Sequence, residues 1–224
     1  MKILLSLILL LTLCACSVNP ATGKQDFVMM SENQEIAMGK NYHAQVLQQY
    51  PLYEDKAIQE YVQKIGDSLS SKSHRPNLFY RFTVLDSPDI NAFALPGGYI
   101  YINRGLMAYL SSEEELAAVL GHEIGHVTAR HSVRQQSQSQ LLGILTAAVD
   151  MKTGRSAGNL MNLASSALLS GYGRDMELEA DDLGAQYLFL DGYSTKGMMD
   201  VLTVLKDQEI YSKELSKKRG QEPV

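Results

Sequence analysis

The sequence predicts an α+β fold, mostly helical, with one small sheet ahead of the principal helices. Two-residue alternation is confined to residues 78–102, whereas three- and four-residue apolar steps dominate on either side. Strands do not alternate with helices one for one, which argues against a doubly wound parallel sheet. With 224 residues, 45% hydrophobic and 20% charged, the chain suits a single packed core and is too apolar for disorder. Its 20 Lys and Arg against 25 Asp and Glu leave a formal charge of -5, without the basic stripe that nucleic acid requires. Both cysteines, Cys14 and Cys16, fall in the first sixteen residues, so a metal site elsewhere must be built from histidine and carboxylate.

Taken in order, the chain opens with Lys2 and an apolar run over residues 3–13. That run suits a signal-peptide core and falls short of the ~20 residues needed to span a bilayer. Residues 1–15 are therefore expected to be a signal peptide. Leu13-Cys14-Ala15-Cys16 looks like a bacterial lipobox in which Cys16 receives the lipid, because bulky Leu13 directly precedes Cys14. Plain secretion without lipid is the simpler alternative. Ser17, rather than Asp, follows Cys16, as in the outer-membrane sorting pattern of Gram-negative cells. Residues 16–30 hold Pro, Gly and Asn without a sustained period and are expected to be a lipid-anchored tether.

Ser31-Glu32-Asn33-Gln34 has the capping form that starts a helix, and Pro51 marks its break. A second helix is predicted over about residues 55–70, where Ile58, Val62, Ile65 and Leu69 recur at helical steps. His43 and His74 stand alone and are expected to be surface or satisfied core residues. In residues 78–85, Leu78, Tyr80, Phe82 and Val84 alternate with their neighbours as a strand does. Two short strands, 91–95 and 99–102, flank Pro96-Gly97-Gly98 and predict a hairpin. Ser111-Ser112-Glu113-Glu114-Glu115 opens the next helix with a cap and an acidic first turn. The apolar runs 141–149 and 160–169 are too short and too diluted with small polar residues to span a membrane, and read as a packed helical hairpin.

The capped helix carries His122-Glu123-Ile124-Gly125-His126, the H-E-x-x-H pattern. Four residues turn a helix by about 400°, so both imidazoles meet one face with Glu123 beside them. Two histidines at that spacing hold zinc, and the carboxylate between them is placed to work on a water. A catalytic zinc needs a third protein ligand. The metzincin extension fails at Ala129 and Ser132. His131 lies about 900° round from His122 and is expected on the opposite side of the helix, as a structural or surface residue. No histidine follows it, so the third ligand is expected among the carboxylates of residues 173–181. Glu177 and Asp181 share a face, suited to one ligand and one acceptor for a ligand histidine's ring N–H. Glu179, about 200° from Glu177, is expected to face away from the ion.

These residues resemble the zinc metallopeptidases related to the CAAX prenyl protease and HtpX, in their soluble bacterial lipoprotein or periplasmic branch, LoiP- and BepA-like. The resemblance spans roughly residues 17–210. It rests on Asn19-Pro20-x-Thr22-Gly23, the 91–98 segment Asn-Ala-Phe-Ala-Leu-Pro-Gly-Gly, the H-E-x-x-H helix running into Arg130-His131, and Glu177-x-x-x-Asp181. It implies a zincin-like metallopeptidase domain over residues 31–224 and one Zn2+ per chain, bound by His122, His126 and Glu177. It further implies Glu123 as general base, Asp181 supporting a ligand histidine, and the strand around Asn91, Ala92 and Phe93 lying along the substrate. The family usually carries a His-Pro segment and a nearby Arg after its last helices. This chain ends at Gln221-Glu222-Pro223-Val224 without them, so the domain is expected to be incomplete at its C-terminus.

The function implied is a zinc-dependent endopeptidase acting on proteins in the bacterial envelope, by zinc-activated water with Glu123 as base. The alternative is a non-proteolytic outer-membrane assembly or quality-control factor that binds clients with the same fold and tolerates loss of Glu123. Expected partners are protein or peptide substrates, the envelope assembly machinery, and the membrane through the lipid anchor only, with no nucleic acid. The expected location is the periplasmic face of the outer membrane, or alternatively the soluble periplasm.

Overall fold

The computed structural model describes residues 16–153 and 172–219. The expected signal peptide, the 160–169 run and residues 220–224 lie outside the described residues. Strands β1 (Cys16–Val18) and β2 (Gln25–Phe27) pair antiparallel, with Cys16 opposite Phe27. The segment read as a tether therefore contains a folded hairpin. Asn19 organises it: its side-chain oxygen accepts the N–H groups of Ala21 (2.8 Å) and Thr22 (3.2 Å), and Gly23 turns the chain at φ 69°. Such bonds from side chain to local backbone build a turn that leaves no hydrophobic period in the sequence.

Helix α1 (Glu32–Gln49) begins at Ser31 with the expected reciprocal capping box to Gln34. Helix α2 (Lys56–Ser71) is capped by Asp55, whose carboxylate accepts from Ala57 and Ile58. Strands β3 (Arg81–Leu85), β4 (Ala92–Leu95) and β5 (Tyr99–Asn103) form a sheet in the order β3-β5-β4. The β4–β5 hairpin forms as expected, through Gly97 (φ 76°) and Gly98 (φ 93°), and β3 runs parallel to β5 on its other side. Strand β3 starts at Arg81 rather than Leu78, because Leu78 is held in a turn by the Arg75 carbonyl and pairing begins at Arg81 opposite Tyr99. That order leaves β4 at the edge.

After the single turn of α3 (Arg104–Met107) come α4 (Glu113–Thr128), α5 (His131–Thr153), α6 (Arg174–Asp191) and α7 (Lys196–Arg219). Helix α4 is buried almost all round, as its unusually small polar face requires. It meets α2 and the sheet as well as α6 and α7, around a core that includes Val62, Leu69, Ile100, Ile102, Leu120, Ile124 and Leu188. The α4–α6 crossing is close because small residues face each other. A Cβ on Gly125 would stand 2.7 Å from the Ala180 carbonyl oxygen, and one on Gly184 would stand 2.9 Å from both the Gly121 carbonyl carbon and the His122 nitrogen. The 141–149 run lies within α5, and no helix among the described residues is long and apolar enough to cross a membrane.

Candidate metal centre

The α4–α6 crossing decides what meets the two histidines of α4. His122 Nε2 and His126 Nε2 lie 2.9 Å apart. From α6, Glu177 reaches both: its Oε2 is 3.5 Å from His122 Nε2 and its Oε1 is 3.8 Å from His126 Nε2. Among the described residues, these three side chains form the group that could hold a metal ion, with one donor atom from each within 4.8 Å of the others. One turn on, Asp181 Oδ1 accepts from His122 Nδ1 at 2.8 Å. That bond puts a proton on His122 Nδ1 and turns Nε2 toward Glu177 and His126.

The donor set fits a small divalent cation. Two imidazole nitrogens 2.9 Å apart share either a proton or a cation, and a carboxylate closes the third side. The surroundings set the two rings apart. Burial opposes charge on His122, but hydrogen bonds to Asp181 and Glu177 and the charge of Glu123 outweigh it and push the ring up to about 10. For His126 burial works together with the neighbouring His122 and His131 rings, pushing it down to about 2. Two histidines and one carboxylate are a zinc donor set that leaves a coordination position open. Glu123 is 7% exposed and lies on the same helix between the histidines. Burial and Glu177 raise its carboxyl to about 7 against the opposing pull of His122.

His131 does not sit where a continuous helix would carry it. Helix α4 stops at Thr128, and Arg130 takes the left-handed conformation at φ 56°. The reversal starts α5 at His131 and folds its ring back against His126 of α4. His131 is fully buried, with Nδ1 2.8 Å from His126 Nδ1 and Nε2 3.1 Å from Glu179 Oε2. The 900° estimate fails because it extends the helix three residues past its end. Glu179 does face away from the donor cluster, yet it reaches His126 through His131. Tyr172, which periodicity did not single out, stacks on His126 at 4.1 Å between ring centroids and shares a 2.6 Å hydrogen bond with Ser132. The two isolated histidines are satisfied, His43 on Tyr101 at 2.6 Å and His74 on Tyr187 at 2.8 Å.

The corner at Arg130 is fixed from α1. Glu35, 1% exposed, accepts from Arg130 Nε at 2.8 Å and from Arg75 Nη1 at 2.8 Å, and Arg130 also donates to the Met30 carbonyl at 3.0 Å. Beside this corner, the end of β4 closes on α4, where Ala94, Leu95, His126, Arg130 and Ser132 line one small cleft. Ala92 and Phe93 lie further along the strand, paired with Ile102 and Tyr101, and Phe93 stacks on Tyr101 at 4.8 Å. Asn91 precedes the strand, and its carbonyl accepts from the Asn103 N–H at 3.0 Å. The outer edge of β4 carries no strand among the described residues.

Comparison with known sequences gives the family. The profile of peptidase family M48 matches residues 56–218. Over 207 residues the chain is 32% identical to the beta-barrel assembly-enhancing protease of Yersinia pestis, covering 86% of this chain and 42% of that protein. It is 31% identical over 144 residues to the mitochondrial metalloendopeptidase OMA1 of Arabidopsis thaliana, covering 64% of this chain and 29% of that one. It is also 31% identical over 140 residues to metalloprotease YcaL of Escherichia coli strain K12, covering 61% and 54%. The chain thus spans less than half the length of the Yersinia pestis relative.

Proposed function

The chain belongs to peptidase family M48, and from that membership we propose that it is a zinc-dependent endopeptidase acting on proteins of the bacterial envelope. The observation that carries the reading is the convergence of His122, His126 and Glu177 next to buried Glu123. His122, His126 and Glu177 hold the ion, and Asp181 fixes the His122 ring. When bound, zinc supplies Lewis acidity that makes a water a stronger acid and polarises a peptide carbonyl. Glu123 takes the proton from the attacking water and delivers it to the leaving amine. An extended peptide adds to the sheet along Asn91, Ala92 and Phe93 toward the cleft at Ala94 and Leu95, through main-chain hydrogen bonds that ask little of its sequence.

The lipobox and the name of the Yersinia pestis relative support placement at the periplasmic face of the outer membrane, anchored through Cys16, with clients of envelope assembly as substrates. The test is casein cleavage by the chain lacking residues 1–16. Cleavage should stop with a zinc chelator and return when zinc is added back. Cleavage that survives complete zinc removal would overturn the proposal, and client binding without any cleavage would favour the non-proteolytic assembly role.

A further inference from the structure

The two candidate ligand histidines are oriented differently. His122 donates straight to a carboxylate, Asp181. His126, 3% exposed, has its Nδ1 against another imidazole. To present a lone pair at Nε2, His126 must carry its proton on Nδ1 and donate to His131 Nδ1. His131 must then carry its own proton on Nε2, and among the described residues its acceptor is Glu179 Oε2 at 3.1 Å. A carboxylate accepts and never donates while ionised, so Glu179 selects one tautomer for both rings. Without that acceptor the reversed pair becomes competitive, and it aims an N–H of His126 into the donor cluster.

Glu179 is in turn held by the N-terminal hairpin. Arg134 Nη1 donates to Glu179 Oε2 at 2.7 Å, and Arg134 Nε lies 3.3 Å from Asp26 Oδ2 on β2. The Asn19 amide, 3% exposed, donates to Asp26 Oδ2 at 2.8 Å and reaches Glu179 Oε1 at 3.4 Å. This is the same Asn19 whose oxygen builds the hairpin turn, so one side chain joins the loop to the chain of hydrogen bonds. Further along, the Met29 N–H donates to Ser137 Oγ at 3.0 Å and straps the segment onto α5.

We propose that the N-terminal hairpin is a working part of the metal centre: Asn19 and Asp26 hold Glu179 and Arg134, Glu179 orients His131, and His131 fixes His126 with Nε2 toward the cation. Glu179 and His131 are positioning residues, and docking of the hairpin and binding of zinc are coupled. The inference rests on the proposed ligand set. Linkage makes the coupling reciprocal, so zinc tightens the hairpin by the factor by which the hairpin tightens zinc.

The test measures zinc affinity by competition with a chromophoric chelator, together with hydrogen exchange of residues 16–27 with and without zinc. Glu179→Ala and His131→Phe should each weaken zinc about 10- to 100-fold, with a changed visible spectrum of the cobalt-loaded protein. Glu179→Gln, whose oxygen turned toward Arg134 still accepts from His131, should recover part of the loss. The pair Asn19→Ala and Asp26→Ala should weaken zinc about fivefold, the worth of one ordinary hydrogen bond, and zinc should slow exchange in the wild-type hairpin. Wild-type affinity in Glu179→Ala and His131→Phe, while His122→Ala abolishes binding, would overturn the coupling and leave the ligand set standing. A wild-type chain that binds no zinc would remove both. If the substituted chains do not fold, wild-type exchange decides alone, and a hairpin indifferent to zinc overturns the proposal.

Discussion

Three acids within five positions of α6 have three different partners, and spacing alone separates two of them. Glu177 faces both Nε2 atoms and Asp181 faces His122 Nδ1, as one shared helix face dictates. Glu177→Ala should abolish stoichiometric zinc, and Asp181→Ala should weaken it by about 10- to 100-fold, both read by atomic absorption and chelator competition on purified protein. Retained zinc in Glu177→Ala would remove it from the ligand set. These residues were legible because their relation is local to one helix turn. His131 was not, because its position depends on a helix ending at Thr128 and on Arg130 adopting φ 56°, and neither leaves a periodic mark. The Arg130-His131 pair was visible in the sequence, but its meaning lay in the corner between helices.

At the scale of elements, the centre exists because α4 and α6 approach at Gly121, Gly125, Ala180 and Gly184. An added methyl at Gly184 meets backbone at 2.9 Å, which cannot swing aside as a side chain can. Gly184→Ala should therefore push the helices apart, costing about 1–3 kcal/mol and moving Glu177 away from the histidines. Calorimetry and zinc affinity should fall together, and a loss of stability with unchanged affinity would show that the crossing does not set the site. The second element-scale device is Glu35, which neutralises Arg75 and Arg130 in the interior and joins α1 to the loop before β3 and to the α4–α5 corner. Glu35→Ala leaves the buried Arg130 guanidinium without its carboxylate, while Arg75 keeps Glu32 at 2.8 Å; removing one partner of a buried pair costs about 3–5 kcal/mol. Urea denaturation measures it. The caps at Ser31 and Ser112 and the β4–β5 hairpin at Pro96-Gly97-Gly98 were legible because caps and turns are set by adjacent residues. The parallel pairing of β3 with β5 was not, since it joins segments through the intervening β4.

Across the whole molecule, the core responds to alkali in a way that does not involve the metal. Burial pushes Tyr80 up to about 12 and also raises Tyr101 and Tyr187. Between pH 10 and 12 the unfolded chain therefore loses the Tyr80 proton while the folded chain keeps it. The unfolded state binds fewer protons there, so the stability present below pH 10 is lost as pH rises. For Tyr80 the shift is worth about 2–3 kcal/mol. Melting temperature should drop above pH 10, and Tyr80→Phe should flatten that slope; an identical slope in the variant would contradict the assignment. The fold as a whole places a hairpin that begins at Cys16 against Glu179 and Arg134, beside the candidate metal site, which ties the proposed anchor to the proposed chemistry.

The claim on which the rest depends is that Glu123 works on water beside an ion held by its neighbours. Glu123→Gln keeps the shape of the side chain and removes its basicity. Zinc content and casein turnover measured on the same preparation of this variant test the claim most directly. The account predicts one zinc per chain, as in the wild-type protein, with turnover lower by a factor of ~100 or more. Undiminished turnover at full zinc occupancy would contradict it.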